Sequence, residues 1–98
     1  MPLFAVIGHD GPDGTARRDQ HREAHVAFID ALDKAGRITF AGPMKSEDGA
    51  VSTGVVILLE AENLDEARKT VHADPYVMGG VYEILTVAPV RKVFPRGA

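Results

Sequence analysis

Gly54-Val55-Val56-Ile57-Leu58-Leu59 decides the fold, because it is apolar on both of the faces a strand presents. A strand with one wet face alternates apolar and polar residues; one that does not alternate is covered on both sides and lies inside a sheet. Just upstream, Arg37-Ile38-Thr39-Phe40-Ala41 does alternate and ends at Gly42-Pro43, which reads as a second strand. Between the two, Lys45-Ser46-Glu47-Asp48-Gly49-Ala50 is polar and carries an Asp-Gly turn signal, so they should join as a hairpin.

Working outward toward the C-terminus, Glu62 to His72 reads as a helix. Asn63 stands where a cap belongs, Asp65 and Glu66 fall where the helix dipole favours negative charge, and Leu64, Ala67 and Val71 make the apolar stripe. Asp74-Pro75-Tyr76 breaks this helix and opens a short helical turn, with Asp as cap and Pro at the first helical position. Val81 to Ala88 is the last strand, with Val81, Glu83, Leu85 and Val87 on one face and Tyr82, Ile84, Thr86 and Ala88 on the other. Pro89 opens a tail over 89–98, basic in bias, with Phe94 as its large anchor.

Toward the N-terminus, Leu3 to Ile7 is a short buried strand, and Gly8 to Gly14 is too rich in Gly and Pro for regular structure. Arg17 to Ala35 is helical: His21, His25, Phe28, Ile29 and Leu32 form one stripe, opposite Glu23, Ala27, Asp30 and Lys34. Thr15 is the candidate cap, and Gly36 the left-handed terminator. The order is β-α-β-β-α-β: an α+β, ferredoxin-like domain over 1–98, a four-stranded antiparallel sheet with two helices on one face. Two helices cover one face only, yet the strands are apolar on both. The open face therefore calls for a second copy, and a homodimer formed through the sheet is the expectation.

Composition narrows the chemistry. The chain has 98 residues, no cysteine, and eleven Lys+Arg against fourteen Asp+Glu, for a net charge of −3. Thiol chemistry and thiolate metal sites are excluded, and a phosphate-binding basic face is not indicated, which argues against nucleic acid as partner. No apolar run approaches a membrane span, and no secretory leader pattern surrounds Met1-Pro2, so a cytoplasmic domain is expected.

What remains for chemistry is His, Asp and Arg. His25 sits on the apolar stripe, so its ring faces the sheet, where a histidine acts as a general acid or base or serves as a bonded core residue. Arg18, His21 and Arg22 precede it by one or two turns and suggest a basic rim for a small anionic molecule. The alternative is a solvated face in which the arginines pair with Asp19 or Glu23, the reading favoured for Arg18. His21 and His25 are also spaced for a metal on a helix, but Arg22 stands between them, and no metal site is expected. Asp74 is either a helix cap alone or the group that orients His25. Gly42-Pro43 either makes a tight turn or lets a ligand approach the backbone. Neither Gly8-His9-Asp10-Gly11 nor Gly79-Gly80 is a phosphate-binding loop, and no cofactor is indicated.

Arg22-Glu23-Ala24-His25, Ala41-Gly42-Pro43, Asp48-Gly49 and Asp74-Pro75-Tyr76, in that order and spacing, resemble the YCII-related (YciI-like) family over essentially the whole chain. The resemblance implies a ferredoxin-like fold pairing into a dimeric α+β barrel. It also implies a cleft with a His-Asp pair at His25 and Asp74, and Tyr76 is carried over with that motif as a substrate-binding residue. One relative removes chloride from a chlorinated hydroquinone-type compound, which implies proton-transfer chemistry on a small cyclic or anionic substrate. Many relatives carry Gly-Ser where the third strand begins; here Gly54 is followed by Val55. The expectation is a small lyase- or isomerase-type enzyme with His25 and Asp74 catalytic and Arg22, Arg18, Gly42, Pro43 and Tyr76 binding substrate. The alternative is a non-catalytic dimeric ligand-binding or accessory module.

Overall fold

In the computed structural model, which describes residues 1–97, the first strand β1 (Leu3–Asp10) buries the alternate residues Phe4, Val6 and Gly8. Helix α1 (Gly14–Lys34) and strand β2 (Ile38–Lys45) follow, and then β3 (Ser52–Glu60). Helix α2 (Leu64–His72), the single turn α3 (Pro75–Met78) and strand β4 (Tyr82–Val90) complete the chain. The sheet order is β2-β3-β1-β4 with every neighbouring pair antiparallel, the split βαβ arrangement, and the unbroken apolar strand is internal as its pattern requires.

Register fixes the core. Val6 lies opposite Ile57 on β3 and Val87 on β4, and Phe4 lies opposite Leu59. These side chains point toward the helices and meet Ala61, Ala67 and Val71. Leu59 and Val6 are each 1% exposed, and burying one such side chain is worth roughly 1.5–3 kcal/mol. Asn63 caps α2 by accepting the Glu66 N–H at 2.9 Å, with Asp65 and Glu66 in the first turn.

Several boundaries differ from expectation, among them β2, which runs through Gly42 and Pro43 to Lys45 while still pairing with β3. Strand β1 runs on through Gly8 and His9 to Asp10, because its backbone continues to pair with both β3 and β4. Only Gly11-Pro12-Asp13 remains as loop; α1 begins at Gly14, and Asp13 rather than Thr15 holds the cap position, without a side-chain bond. Between His9 and Asp10 the β1–β4 register shifts from Ile84 to Tyr82, which leaves Glu83 bulged out. Tyr82 therefore joins Leu85 and Val87 on the helix side instead of Ile84 and Thr86. Its ring lies over Gly8, where a Cβ would meet the ring at 2.9 Å. Strand β4 also includes Pro89 and Val90, so irregular chain starts at Arg91.

Gly36 ends α1 at φ 73°, the left-handed conformation that its lack of a Cβ permits. The sheet face turned away from the helices carries Phe40, Ile84 and Val90, all exposed. Among the described residues, no helix is long and apolar enough to cross a membrane.

Candidate active site

Helix α1 rests on α3, and its Ile29 and Leu32 pack against the core that includes Val55, Ile57 and Leu59. Between α1 and the β2–β3 half of the sheet lies a cavity of about 690 Å³. Its walls are one face of α1 (Arg18, Arg22, His25, Val26, Ile29), residues Ile38 to Pro43 of β2, Val55 and Ile57 of β3, and Tyr76 of α3.

Two polar groups are fixed there by local structure. Asp74 caps α3: its Oδ1 accepts the Tyr76 N–H at 2.9 Å, and Pro75 at the first helical position has no N–H to satisfy. The same Oδ1 lies 2.7 Å from His25 Nδ1. An ionised carboxylate only accepts, so Nδ1 donates, and in the neutral ring the other nitrogen then keeps its lone pair. The His25 ring stacks on Tyr76 with centroids 3.7 Å apart and planes 5° from parallel. The two side chains are 15% and 4% exposed, so the imidazole is anchored on its Nδ1 edge and one face while still reaching the cavity.

Arg18 is the second fixed group, and it is not on the solvated face that was favoured for it. Its Nε and one terminal nitrogen donate to the two oxygens of Asp10 at 2.8 and 2.9 Å, and that same nitrogen donates to the Gly54 carbonyl at 3.0 Å. The guanidinium carbon sits 5.2 Å from the Tyr76 ring centroid and 5.8 Å from that of Tyr82. The Asp10 carboxylate holds the Arg18 pKa above its ordinary value. The remaining terminal nitrogen makes no bond to protein among the described residues, and Arg18 lines the cavity. A planar cation with a spare N–H pair therefore stands in the same chamber as the imidazole.

The other expected residues divide. Arg22 lines the cavity but is exposed and paired with Asp19 at 2.8 Å, the pairing weighed for it. Gly42 and Pro43 belong to β2 and line the cavity as continuous strand, not as a turn. His21 leaves both the basic rim and any pairing with His25: its ring packs on Gly79, where a Cβ would lie 2.6 Å from Nε2. Val55, which follows Gly54 at the start of β3's apolar run, is buried and gives the chamber an apolar floor.

Two residues were missed. Asp10 falls in the Gly- and Pro-rich stretch that reads as loop, yet the alternation Phe4, Val6, Gly8, Asp10 carries it to the helix side once β1 continues. Strict alternation groups Tyr82 with Ile84 and Thr86, and nothing in the sequence signals the bulge that puts it with Leu85 and Val87 instead. Its hydroxyl is buried without a hydrogen-bond partner, and burial pushes its pKa well up.

The YCII-related domain model matches residues 2–91. The protein YciI of Escherichia coli O6:H1 is 39% identical, with 94% of this chain and 99% of the relative covered. An uncharacterized protein of Haemophilus influenzae is 33% identical, with 93% and 98% covered. Among solved structures, 5-chloro-2-hydroxyhydroquinone dehydrochlorinase from Burkholderia phenoliruptrix, in complex with 2,5-dihydroxybenzoquinone, superposes with a TM-score of 0.80. It is 27% identical, with 91% of this chain and 93% of that one covered.

Proposed function

The chain belongs to the YCII-related family, and on that premise we propose that it is a small cytoplasmic enzyme, working as a homodimer, that moves a proton on a small anionic or cyclic substrate. The observation that carries the reading is the 2.7 Å bond between His25 and Asp74 in the wall of a cavity that also holds the Arg18 guanidinium. A base needs a defined tautomer, an orienting partner and a nearby charge for the developing oxyanion, and the proposal assigns these roles to His25, Asp74 and Arg18.

In this reading the unbonded nitrogen of His25 takes a proton from substrate carbon or hydroxyl. The electron pair released expels a leaving group as an anion (elimination), or the proton returns from His25 to a different carbon (isomerisation). Asp74 stabilises the imidazolium formed between the two steps, as a carboxylate does for an imidazole base. Arg18 holds the substrate oxyanion. Arg22 closes over it, since its exposed pairing with Asp19 is weak and easily exchanged. Gly42, Pro43 and Tyr76 form the wall against the ring. The dehydrochlorinase likeness supports the elimination branch. The exposed apolar face with Phe40, Ile84 and Val90 supports the dimer.

The test is a screen of chlorinated and hydroxylated aromatic compounds for chloride release or isomerisation, run on the wild type and on His25→Ala. Turnover that disappears in His25→Ala is the expected result. Turnover unchanged by that substitution rejects His25 as the base. Binding without turnover across the screen favours a ligand-binding module.

A further inference from the structure

The cavity is far larger than a single ring needs. A cavity of about 150 Å³ accommodates benzene, whereas this one has about 690 Å³. It is also polarised along its length. Along α1 and the β2–β3 register, Arg18, Arg22 and His25 stand at one end; Val26, Ile29 and Ile57 line the middle; Ile38, Asp30 and Asp33 stand at the other. Arg18 and Asp33 are separated by about 22 Å along the helix at the usual rise per residue. Asp30 is bonded to exposed Lys34, and Asp33 makes no ion pair among the described residues.

We infer that the ligand is a monoanionic ring compound carrying an apolar extension, with the anionic head at Arg18 and His25 and the extension lying between α1 and β2 toward Ile38. This rests on the proposed function and deepens it by naming the substrate class. Two terms select it. The apolar midsection rewards an extension that leaves water. The carboxylates at the far end repel a second anionic group there, so a long dicarboxylate of the same length is disfavoured.

Calorimetric binding of three probes tests this: salicylate, hexylsalicylate, and the hexylsalicylate analogue whose chain ends in a carboxylate. Each is measured on the full chain, on Val26→Asp and on Asp33→Asn. Val26 is 57% exposed and Asp33 is also exposed, so neither change disturbs the core. The expected result is that hexylsalicylate binds at least roughly tenfold tighter than salicylate. Within Val26→Asp the ratio of hexylsalicylate to salicylate affinity should collapse, whatever the variant does to head binding itself, and the dicarboxylate should gain affinity in Asp33→Asn. Equal binding of salicylate and hexylsalicylate overturns the inference while leaving the head site standing. A gain that survives Val26→Asp also overturns it, because the chain is then held elsewhere, such as on the exposed sheet face. No binding of any probe rejects the anion site itself, and with it the proposed function.

Discussion

Asp10 accepts from Arg18 at both carboxylate oxygens, at 2.8 and 2.9 Å, so the one nearly buried cation of the cavity wall is held by the last residue of the first strand. The pair is 8% and 9% exposed. Removing one member leaves the other charged and badly solvated.

Asp10→Ala is therefore expected to destabilise the fold by about 3 kcal/mol, at the lower end of the range for breaking a buried pair because Arg18 also meets the cavity. The double change Asp10→Leu with Arg18→Met should recover most of that loss, since neither charge is then stranded. Urea unfolding checks both. A double variant less stable than Asp10→Ala shows that the pair contributes net stability instead of merely balancing its own burial.

Asp74 has two roles that substitution separates. Asparagine still caps a helix, so Asp74→Asn should cost less than about 0.5 kcal/mol, while Asp74→Ala loses the cap and costs about 1–2 kcal/mol. Turnover should fall on the order of 100-fold or more in both, because neither side chain stabilises an imidazolium. Thermal unfolding beside a rate measurement reads the two roles independently. If Asp74→Asn keeps full activity, the carboxylate is a cap and nothing more.

Tyr82 has a buried, unpartnered hydroxyl, and burial raises its pKa well above the usual value. Removing that hydroxyl in Tyr82→Phe should stabilise the protein by about 1 kcal/mol at neutral pH. The pH sign follows from linkage. The unfolded phenol ionises near ~10, while the folded one keeps its proton to higher pH. Between the two the native state binds more protons, so this contribution is complete below the unfolded value and is lost as pH rises. Tyrosinate absorbance should show a late component in the wild type that Tyr82→Phe lacks, and the variant's stability should fall less above pH ~10. A late component persisting in the variant assigns it to the other tyrosine.

Gly79 gives α1 its seat on α3. A Cβ there would overlap the His21 ring and lie 2.8 Å from the Pro75 carbonyl oxygen. Gly79→Ala should cost about 2 kcal/mol through overpacking. Because α3 carries Asp74 at its cap, the same change should loosen the His25–Asp74 bond and lower activity. His21→Ala added to Gly79→Ala should recover part of both losses; double-mutant analysis of stability and rate measures the coupling.

The sequence by itself determined the order of elements, the internal position of β3, the caps of α2 and α3 and the glycine terminator of α1, while the 2.7 Å meeting of His25 with Asp74 is a tertiary contact between α1 and the cap of α3. The former are local facts: periodicity, a cap residue and the absence of a Cβ act within a few residues. The extent of β1, the inward turn of Tyr82 and the burial of Arg18 were decided only when three strands aligned. Continued pairing on both sides carried β1 past Gly8 and His9 to Asp10, and the register shift beside Glu83 brought Tyr82 over Gly8. Arg18 and Asp10 then found each other across a strand and a helix, a contact that neither element's own pattern encodes. The same long-range assembly took His21 out of the basic rim by seating it on Gly79. It also brought α1, β2, β3 and α3 together around the cavity, which no single element's pattern encodes.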